Sequence, residues 1–255
     1  MSDLRFNRVA ELYSRVRPTY PAEVYQRLRE AVPVERFSTA VDIGCGAGQS
    51  LAGLAAIASH IIGIEPGDRL RAEAARAYPD AEIRDGTGES TGLPGASADL
   101  VTVATAFYWM DKSRVLAEVD RVLRAPGVFA TYKYGVPVCI GPAEQVMERH
   151  MADHWAEHRS VRLIEYDDTA DLMRRSGSFA SVTSSEVPYV LPYPSTDGYV
   201  EFLCSTSYVS AFLATLDDPD DYVASLTRET RAAHGDGELQ VRFDILMNIA
   251  VKRPG

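Results

Sequence analysis

The strongest constraint on the fold is a glycine-rich segment between a predicted strand and a predicted helix. The apolar run over residues 39–43 is followed by Gly44, Gly46 and Gly48, and then by an Ala- and Leu-rich stretch over residues 50–59. Glycines at alternate positions let the backbone bend tightly and approach a ligand without a Cβ in the way. This pattern is typical of the first turn of a nucleotide-binding α/β unit, although a plain strand–helix connection also fits it.

The alternation of strand-like and helix-like segments continues as far as Tyr134. The further predicted strands cover residues 60–65, 81–84, 99–105 and 128–134, and the further predicted helices cover residues 68–78 and 113–124. This order predicts a mostly parallel sheet with helices on both faces. After Tyr134 the pattern is largely helical, with strands predicted only at residues 181–191 and 242–251. We therefore predict a Rossmann-like α/β fold around a seven-stranded, mostly parallel sheet.

The chain is predicted to form a single domain over residues 1–255. Two helices, over residues 5–13 and 21–31, precede the core. We divide the rest into a core at 36–134, helical insertions with the sixth strand at 135–240, and a last strand at 241–255. Insertions of this kind commonly cover a cleft above the carboxyl edge of the sheet, where open α/β sheets bind ligands.

Composition and net charge disfavour several classes of partner. The formal net charge is −10 and no long basic run compensates for it, so nucleic acid and anionic membrane surfaces are disfavoured as partners. Apolar stretches fall short of the roughly 18–20 residues that a membrane span needs, and the first residues show no secretory signal. The three cysteines lie far apart, which favours free thiols in a reducing compartment. We expect a cytoplasmic protein, monomeric or homodimeric, that acts on a small molecule.

Two residues near the glycine segment sharpen the ligand prediction. Gln49 stands where the dinucleotide-binding fingerprint needs Gly or Ala. Glu65 ends the next apolar run, nineteen residues after Gly46, and a carboxylate there can accept hydrogen bonds from both ribose hydroxyls. Glu65 by itself also fits an acidic residue at a helix start. Together the features favour an adenosine ligand without a pyrophosphate over NAD.

Five segments resemble a known family in their order and spacing. They are residues 13–21 (YSRVRPTYP), 41–48 (VDIGCGAG), 64–66 (IEP), 86–94 (GTGESTGLP) and 104–111 (ATAFYWMD). The sequence between residue 6 and about residue 134 resembles class I S-adenosylmethionine-dependent methyltransferases. Within them it looks most like the small-molecule branch that includes trans-aconitate methyltransferase-like enzymes. The stretch 245–251 matches the family's last strand loosely.

The resemblance implies S-adenosylmethionine as the cofactor and a set of residues that bind it. Those implied at the methionine and ribose portion are Asp42, Gly44, Gly46, Gly48, Glu65, Thr105 and Ala106. Those implied on the adenine side are Pro66, Thr87, Gly88 and Glu89. Relatives often have Asp at the position of Thr87, so the backbone at Gly88 is the expected adenine contact. Tyr13, Arg17 and Tyr20 would close over the cofactor as a lid, and simple packing of the two tyrosines is the alternative.

Two residues are candidates for catalysis. Tyr108 follows the fourth strand where relatives often have His, and it either acts in proton transfer or shapes the methyl-transfer channel. His154 lies between His150 and His158 at helical spacing, so the three share one face. That face fits a surface stripe, an acceptor pocket containing one His, or, less well, a metal site, for which no matching carboxylates or cysteines are present. We predict no metal. Tyr132, Lys133 and Tyr134, at the end of the fifth predicted strand, point by topology toward the ligand-binding edge.

The predicted reaction is methyl transfer to a small-molecule metabolite, possible acceptors being aromatic compounds or natural products. An aromatic acceptor pocket is one interpretation of Tyr189, Tyr193, Phe202, Tyr208 and Phe212, and core packing is the other. Methyl-ester formation on a small organic acid is an alternative reaction. A non-catalytic S-adenosylmethionine-binding protein and a nicotinamide-dependent oxidoreductase are the rival classes, the latter opposed by Gln49.

Overall fold

The computed structural model describes residues 16–160 and 168–254, so Tyr13 and the predicted helix over residues 5–13 lie outside the described residues. The chain divides into two compact units. Unit 1 comprises Met1–Lys133, Glu165–Val187 and Ile245–Gly255, and unit 2 comprises Tyr134–Ile164 and Pro188–Asp244.

The described strands are β1 (Phe37–Ile43), β2 (Ala58–Ile64), β3 (Glu82–Arg84), β4 (Ala98–Ala104), β5 (Leu123–Tyr134), β6 (Val138–Ile140), β7 (Phe179–Tyr193) and β8 (Leu239–Lys252). The described α-helices are α1 (Ala22–Glu30), α2 (Leu51–Ile57), α3 (Asp68–Ala77), α4 (Lys112–Val122), α5 (Glu144–His150), α6 (Thr169–Arg175), α7 (Thr196–Cys204), α8 (Ser207–Leu213) and α9 (Pro219–His234). None of the helices in the described ranges is both long and apolar enough to cross a membrane.

In unit 1 the strands follow the order β3-β2-β1-β4-β5-β8, and β7 also pairs with β8. The pairs β1–β2, β1–β4, β2–β3 and β4–β5 are parallel. The described sheet has eight strands, one more than predicted, because the short strand β6 also pairs with β8. The parallel strands and their helices confirm the predicted Rossmann-like fold. The chain reverses its direction of travel across the sheet between β1 and β4. In open α/β sheets a ligand binds at such a switch point, outside the carboxyl ends of the strands.

The core of unit 1 forms because its central strands are apolar on both faces. The last four residues of β1 and the stretch Leu100–Val103 of β4 are buried. Helix α4 buries Val115, Leu116 and Val119, the positions that its helical periodicity predicts. Its first turn is capped by Asp111, whose carboxylate accepts a hydrogen bond from the Arg114 N–H.

Two helix boundaries differ from those predicted, for the same physical reason. Helix α2 ends at Ile57 and helix α4 at Val122, and a strand begins at the very next residue in both cases. Both predicted helices ran two residues further. Because no turn separates helix from strand, no Gly or Pro marks the change. The backbone becomes extended at Ala58 and Leu123 although both residues suit a helix.

Unit 2 is mainly helical and contains one strand that the sequence did not predict. The three-residue strand β6 pairs antiparallel with the first part of β8, with Cys139 opposite Val241. Helix α9 begins with an Asp218 cap and has Pro219 in its first turn. The continuous helix that the spacing of His150, His154 and His158 implies is interrupted. Its α-helical part ends at His150, a π-helical turn follows over Met151–Trp155, and a 3₁₀ turn covers Ala156–His158.

Candidate functional site

The glycine segment turns sharply at the end of β1. Gly44, Gly46 and Gly48 all have positive φ angles, of 70°, 58° and 98°. The N–H groups of Gly44 and Cys45 both donate to the Ile64 carbonyl, at 2.7 and 3.1 Å, which ties the turn to the end of β2. A Cβ at position 44 would lie 2.8 Å from the Ala106 Cβ. Glycine is therefore required here by backbone conformation and by close approach.

Glu65 links the glycine segment to the start of α3. Its side chain is buried, and its two carboxylate oxygens accept hydrogen bonds from the N–H groups of Gly46 (3.0 Å) and Gly67 (2.8 Å). Burial raises the pKa of the Glu65 carboxyl, while these two N–H groups and Arg71 oppose the rise. Arg71 also donates to the Glu65 carbonyl and pairs with Asp85, so it joins the carboxyl ends of β2 and β3. Each carboxylate oxygen retains a lone pair that can accept a ribose hydroxyl.

Asp42 is fully buried just before the turn. One carboxyl oxygen accepts a hydrogen bond from the Thr102 hydroxyl at 2.7 Å, and the other, Oδ2, has no hydrogen-bond partner among the residues that the structure describes. Burial raises the pKa of Asp42 to about 7, and the hydroxyls of Thr102 and Ser50 oppose the rise. Buried acceptors without a donor are uncommon. This oxygen therefore fits a site that receives a donor from a ligand.

The loop after β3, which the family resemblance places beside adenine, is held from α4. Thr87 and Ser90 exchange backbone hydrogen bonds, and Glu89 accepts one from the Asp111 N–H at 2.9 Å. Glu118 accepts two from Thr91, and its pKa is lowered to about 2, mainly by its hydrogen bond with Arg121.

The same loop approaches α4 closely at Gly88. A Cβ on Gly88 would lie 2.6 Å from the Met110 sulfur, so glycine permits the close approach. Pro66 is partly exposed after Glu65.

Thr105 and Tyr20 meet at the carboxyl end of β4. Thr105 is one of two non-glycine residues with positive φ in the described chain, at 52°, and its N–H donates to the Tyr132 carbonyl at 2.7 Å. The hydroxyls of Tyr20 and Thr105 are 2.5 Å apart, and the Tyr20 ring packs edge-on against Tyr132. Tyr20 is buried and Arg17 is partly exposed. Tyr20 therefore both packs in the core and reaches the predicted cofactor edge, where the sequence left these roles as alternatives.

Tyr108 lies in a short 3₁₀ turn, Phe107–Trp109, that follows β4. It is buried, and its ring centroid lies 5.0 Å from that of Trp109. Its position at the carboxyl edge suits a residue that shapes a channel or moves a proton.

Hydrogen bonds among Tyr25, Ser50 and Tyr132 hold the end of the glycine segment. Tyr25 and Ser50 were not identified from the sequence. The Tyr25 hydroxyl of α1 donates to the Ser50 carbonyl at 3.0 Å, and the Ser50 hydroxyl lies 2.5 Å from the Tyr132 hydroxyl. Tyr132 was placed toward this edge by topology. Ser50 directly follows the segment Gly48-Gln49, and that adjacency was the available signal.

In unit 2, His150 and His154 lie in an aromatic cluster. His150 Nδ1 is 2.6 Å from the Tyr222 hydroxyl, to which Trp155 Nε1 also donates at 3.1 Å. Because an indole N–H can only donate, we assign the Tyr222 proton to His150 Nδ1, which leaves the His150 proton on Nε2, 3.4 Å from Glu229. Burial lowers the pKa of His150.

These positions correct one of the alternatives for the histidine face. His150 is 6% exposed, so a surface stripe is wrong for it. The His154 ring stacks on Phe212 at 5.2 Å and meets Tyr222 edge-on. Within residues 16–160 and 168–254, no group of three or more His, Cys, Asp or Glu side chains is arranged to hold a metal ion. A catalytic role for His154 stays a prediction.

The other aromatic residues of unit 2 are mostly buried. Tyr193, Phe202, Tyr208 and Phe212 each have less than a tenth of their surface exposed, whereas Tyr189 is intermediate. Tyr193 and Tyr199 both pack against Phe202, which in turn contacts Phe243. Core packing therefore accounts for these contacts without a ligand.

Comparison with known proteins gives a consistent family for the part of unit 1 described above. A model described as a methyltransferase domain matches residues 41–131, from the glycine segment to β5. A Dictyostelium discoideum protein named as a methyltransferase is 28% identical over 98% of this chain and 95% of its own length. A solved structure titled as a type II methyltransferase from Anaeromyxobacter dehalogenans is 28% identical, covers 94% of this chain and 99% of its own, and has a TM-score of 0.76.

A further relative names the cofactor. It is a Saccharomyces cerevisiae protein described as an S-adenosylmethionine-dependent methyltransferase, and it is 30% identical over 49% of this chain. The match spans 45% of that relative's length. The matched family region contains all the described residues from Asp42 to Ala106 that the sequence assigned to the cofactor.

Proposed function

Since the chain is a class I S-adenosylmethionine-dependent methyltransferase, we propose that its methyl acceptor is a small organic molecule. The net charge of −10 supports this proposal, because a polyanionic acceptor such as a nucleic acid would be repelled. A cytoplasmic location and a monomeric or homodimeric state stay predictions.

We propose that the cofactor is bound around the glycine segment. The observation that supports this most is the Glu65 carboxylate, which is buried and holds the Gly46 N–H while keeping lone pairs for the ribose hydroxyls. The unpartnered Asp42 oxygen suits the ammonium group of the methionine portion. Gly44 and Gly48 allow close backbone approach, and the remaining proposed contacts are Pro66, Thr87, Gly88, Glu89, Thr105, Ala106 and the N-terminal Tyr13, Arg17 and Tyr20.

When bound, the cofactor supplies a methyl group on a sulfonium centre. The chain's own residues then have to orient the acceptor, exclude water and, for a phenol or an amine, remove a proton. Tyr108 and His154 are the residues that we propose for shaping the reaction channel or accepting that proton.

We further propose that the chain acts as one methyltransferase domain in which residues 135–240 select the acceptor. We propose an acceptor with an aromatic ring, of the kind found among natural products, and the partly exposed Tyr189 is the aromatic side chain of this region that we propose to contact it. A small organic acid would need a cationic group to bind its carboxylate, for which Arg has the better geometry.

The test is a methylation assay with mass-spectrometric detection. The full chain is incubated with S-adenosylmethionine and pooled aromatic, amine and carboxylic metabolites, and with tRNA and protein as macromolecular acceptors. We expect S-adenosylhomocysteine to form together with an aromatic product heavier by one methylene. Glu65→Ala protein serves as the control for contaminating enzymes. Turnover of a macromolecule alone would overturn the small-molecule proposal, and exclusive turnover of acids would overturn the aromatic preference.

A further inference from the structure

The Tyr132 hydroxyl lies inside unit 1, at the end of the glycine segment. Tyr132 is on β5 and is fully buried, and its hydroxyl lies 2.5 Å from the Ser50 hydroxyl. Ser50 is itself 2% exposed and is the N-cap residue of α2, the helix that follows the glycine segment. The bond therefore fixes the point at which the segment becomes helix.

A second hydrogen bond holds Ser50 from α1. The Tyr25 hydroxyl donates to the Ser50 carbonyl, which can only accept. In the bond between the Ser50 and Tyr132 hydroxyls either group can be the donor. Tyr25 and Tyr132 therefore connect α1 and β5 to the residue at which the glycine segment becomes helix.

Tyr132 also holds the carboxyl end of β4. Its carbonyl accepts a hydrogen bond from the Thr105 N–H at 2.7 Å, and its ring packs against Tyr20, whose hydroxyl bonds that of Thr105. The left-handed backbone of Thr105 is unfavourable for a residue with a Cβ, so surrounding contacts must maintain it. Two contacts of Thr105 that do so come from Tyr132 and Tyr20.

We propose that Tyr132 is a positioning residue whose hydroxyl and carbonyl hold the glycine segment and Thr105 in the geometry that binds the cofactor. The proposal rests on the cofactor site described above. Tyr132 acts through Ser50 and Thr105, and we assign it no contact with the reacting atoms of the cofactor or the acceptor.

The test compares cofactor affinity with stability. Tyr132→Phe keeps the ring and its main chain but leaves the buried Ser50 hydroxyl without this hydrogen-bond partner. We expect the Kd for S-adenosylmethionine, measured by calorimetry well below the unfolding temperature, to rise roughly 5- to 30-fold. Ser50→Ala removes the same bond from the other side and should raise the Kd similarly, and it replaces Tyr132→Phe should that variant not fold.

The double variant Tyr132→Phe with Ser50→Ala separates positioning from packing. Removing both partners eliminates the unpaired buried hydroxyl, so the unfolding temperature should recover toward that of the wild type. A positioning role predicts that the Kd stays raised. Recovery of the Kd together with stability would overturn the proposal.

Tyr222→Phe is the matched control. It removes a hydroxyl from unit 2 that bonds His150 and Trp155, so it should lower the unfolding temperature and leave the Kd unchanged. An equal rise in Kd for this control would overturn the proposal, because general destabilisation would then explain the effect. An unchanged Kd in Tyr132→Phe would also overturn the proposal. Wild-type protein that fails to bind S-adenosylmethionine would instead contradict the cofactor site itself.

Discussion

The two units both bury ionisable groups among hydroxyls, but they use them differently. In unit 1, the Asp42 carboxyl and its hydroxyl neighbours Thr102 and Ser50 lie beside a backbone turn, and one carboxyl oxygen has no partner in the described chain. In unit 2, the His150 ring is enclosed by side chains, with Tyr222 on one nitrogen and Glu229 near the other. The first arrangement leaves an acceptor for a ligand. In the second arrangement His150 Nε2 also has no hydrogen bond within the described residues, although the Glu229 carboxylate lies 3.4 Å away.

The difference between the surroundings of Asp42 and His150 shows that burial alone does not identify a binding site. Both groups have a shifted pKa, because burial disfavours the charged form of each. What distinguishes Asp42 is the adjoining backbone, in which three glycines adopt conformations that other residues avoid. Substitutions in both units can therefore test whether the backbone of unit 1 is the functional element.

Gly48→Ala is expected to have the largest combined effect on stability and cofactor affinity. Its φ is 98°, and a new Cβ would lie 2.5 Å from the Tyr78 ring, so strain and a clash combine. We expect a loss of about 3 kcal/mol in unfolding free energy and a loss of more than about tenfold in cofactor affinity. Chemical denaturation and calorimetry measure the two quantities.

Gly141→Ala in unit 2 is the matched control. Gly141 has a similar φ of 108°, but a Cβ there would meet nothing within 4 Å. Backbone strain alone should cost about 1–2 kcal/mol, with cofactor affinity unchanged. Equal effects of the two substitutions on affinity would remove the special role of the glycine segment.

The next effect is the pH dependence that Asp42 produces. Its pKa rises from an ordinary value near 3.8 to about 7, so between these values the folded state holds a proton that the unfolded state has lost. Its contribution to stability therefore falls as pH rises from about 4 to about 7, by up to about 1.4 kcal/mol per pH unit. Urea unfolding of wild type and Asp42→Asn over this range should show a flatter profile for the variant. Parallel profiles would show that Asp42 is charged when folded.

His150 should give a smaller dependence of the opposite sign. Its pKa is lowered from 6.5, so as pH falls through about 6.5 the unfolded state gains a proton before the folded state does. Stability is therefore lost as pH falls. His150→Gln should reduce that loss below pH 6.5 in the same urea experiment, and a steeper loss would contradict the neutral, buried imidazole.

The smallest effect is expected from Glu118→Gln, which affects the loop after β3. The Glu118 pKa of about 2 lies below its ordinary 4.5, so its contribution is present above pH 4.5 and disappears as pH falls toward 2. Glutamine can still accept from Thr91 but loses the charge that pairs with Arg121. We expect a decrease of about 1 kcal/mol at pH 7 that shrinks in acid, because the pair is partly exposed. A decrease that is constant down to pH 2 would show that packing alone is involved.

Much of unit 1 could be predicted from the sequence because local chemistry determines it. Strand β1, the glycine turn and the buried face of α4 follow from apolar runs, the need for glycine and helical spacing. The contacts that hold the site together could not be predicted in this way. Tyr132 and Ser50 are 82 positions apart, and only the parallel pairing of the sheet brings them together.

Unit 2 shows where sequence patterns are weakest. The spacing of His150 and His154 assumed a continuous α-helix, but the backbone changes to a π-helical turn after His150. Strand β6 is three residues long, too short for a periodicity to be visible. The burial of His150 depends on Tyr222 of helix α9, which is distant in sequence and has no local signal.

The most direct test of the central claim is cofactor binding by Glu65→Ala. The carboxylate holds the Gly46 N–H and is proposed to accept the ribose hydroxyls, so its removal should cost about 2–4 kcal/mol of binding free energy. Titration of wild type and variant with S-adenosylmethionine, at a temperature where circular dichroism shows both folded, measures this difference. We expect the Kd of Glu65→Ala for S-adenosylmethionine to be roughly 30- to 1,000-fold above that of the wild type. An unchanged Kd in a folded variant would contradict the assignment of this site.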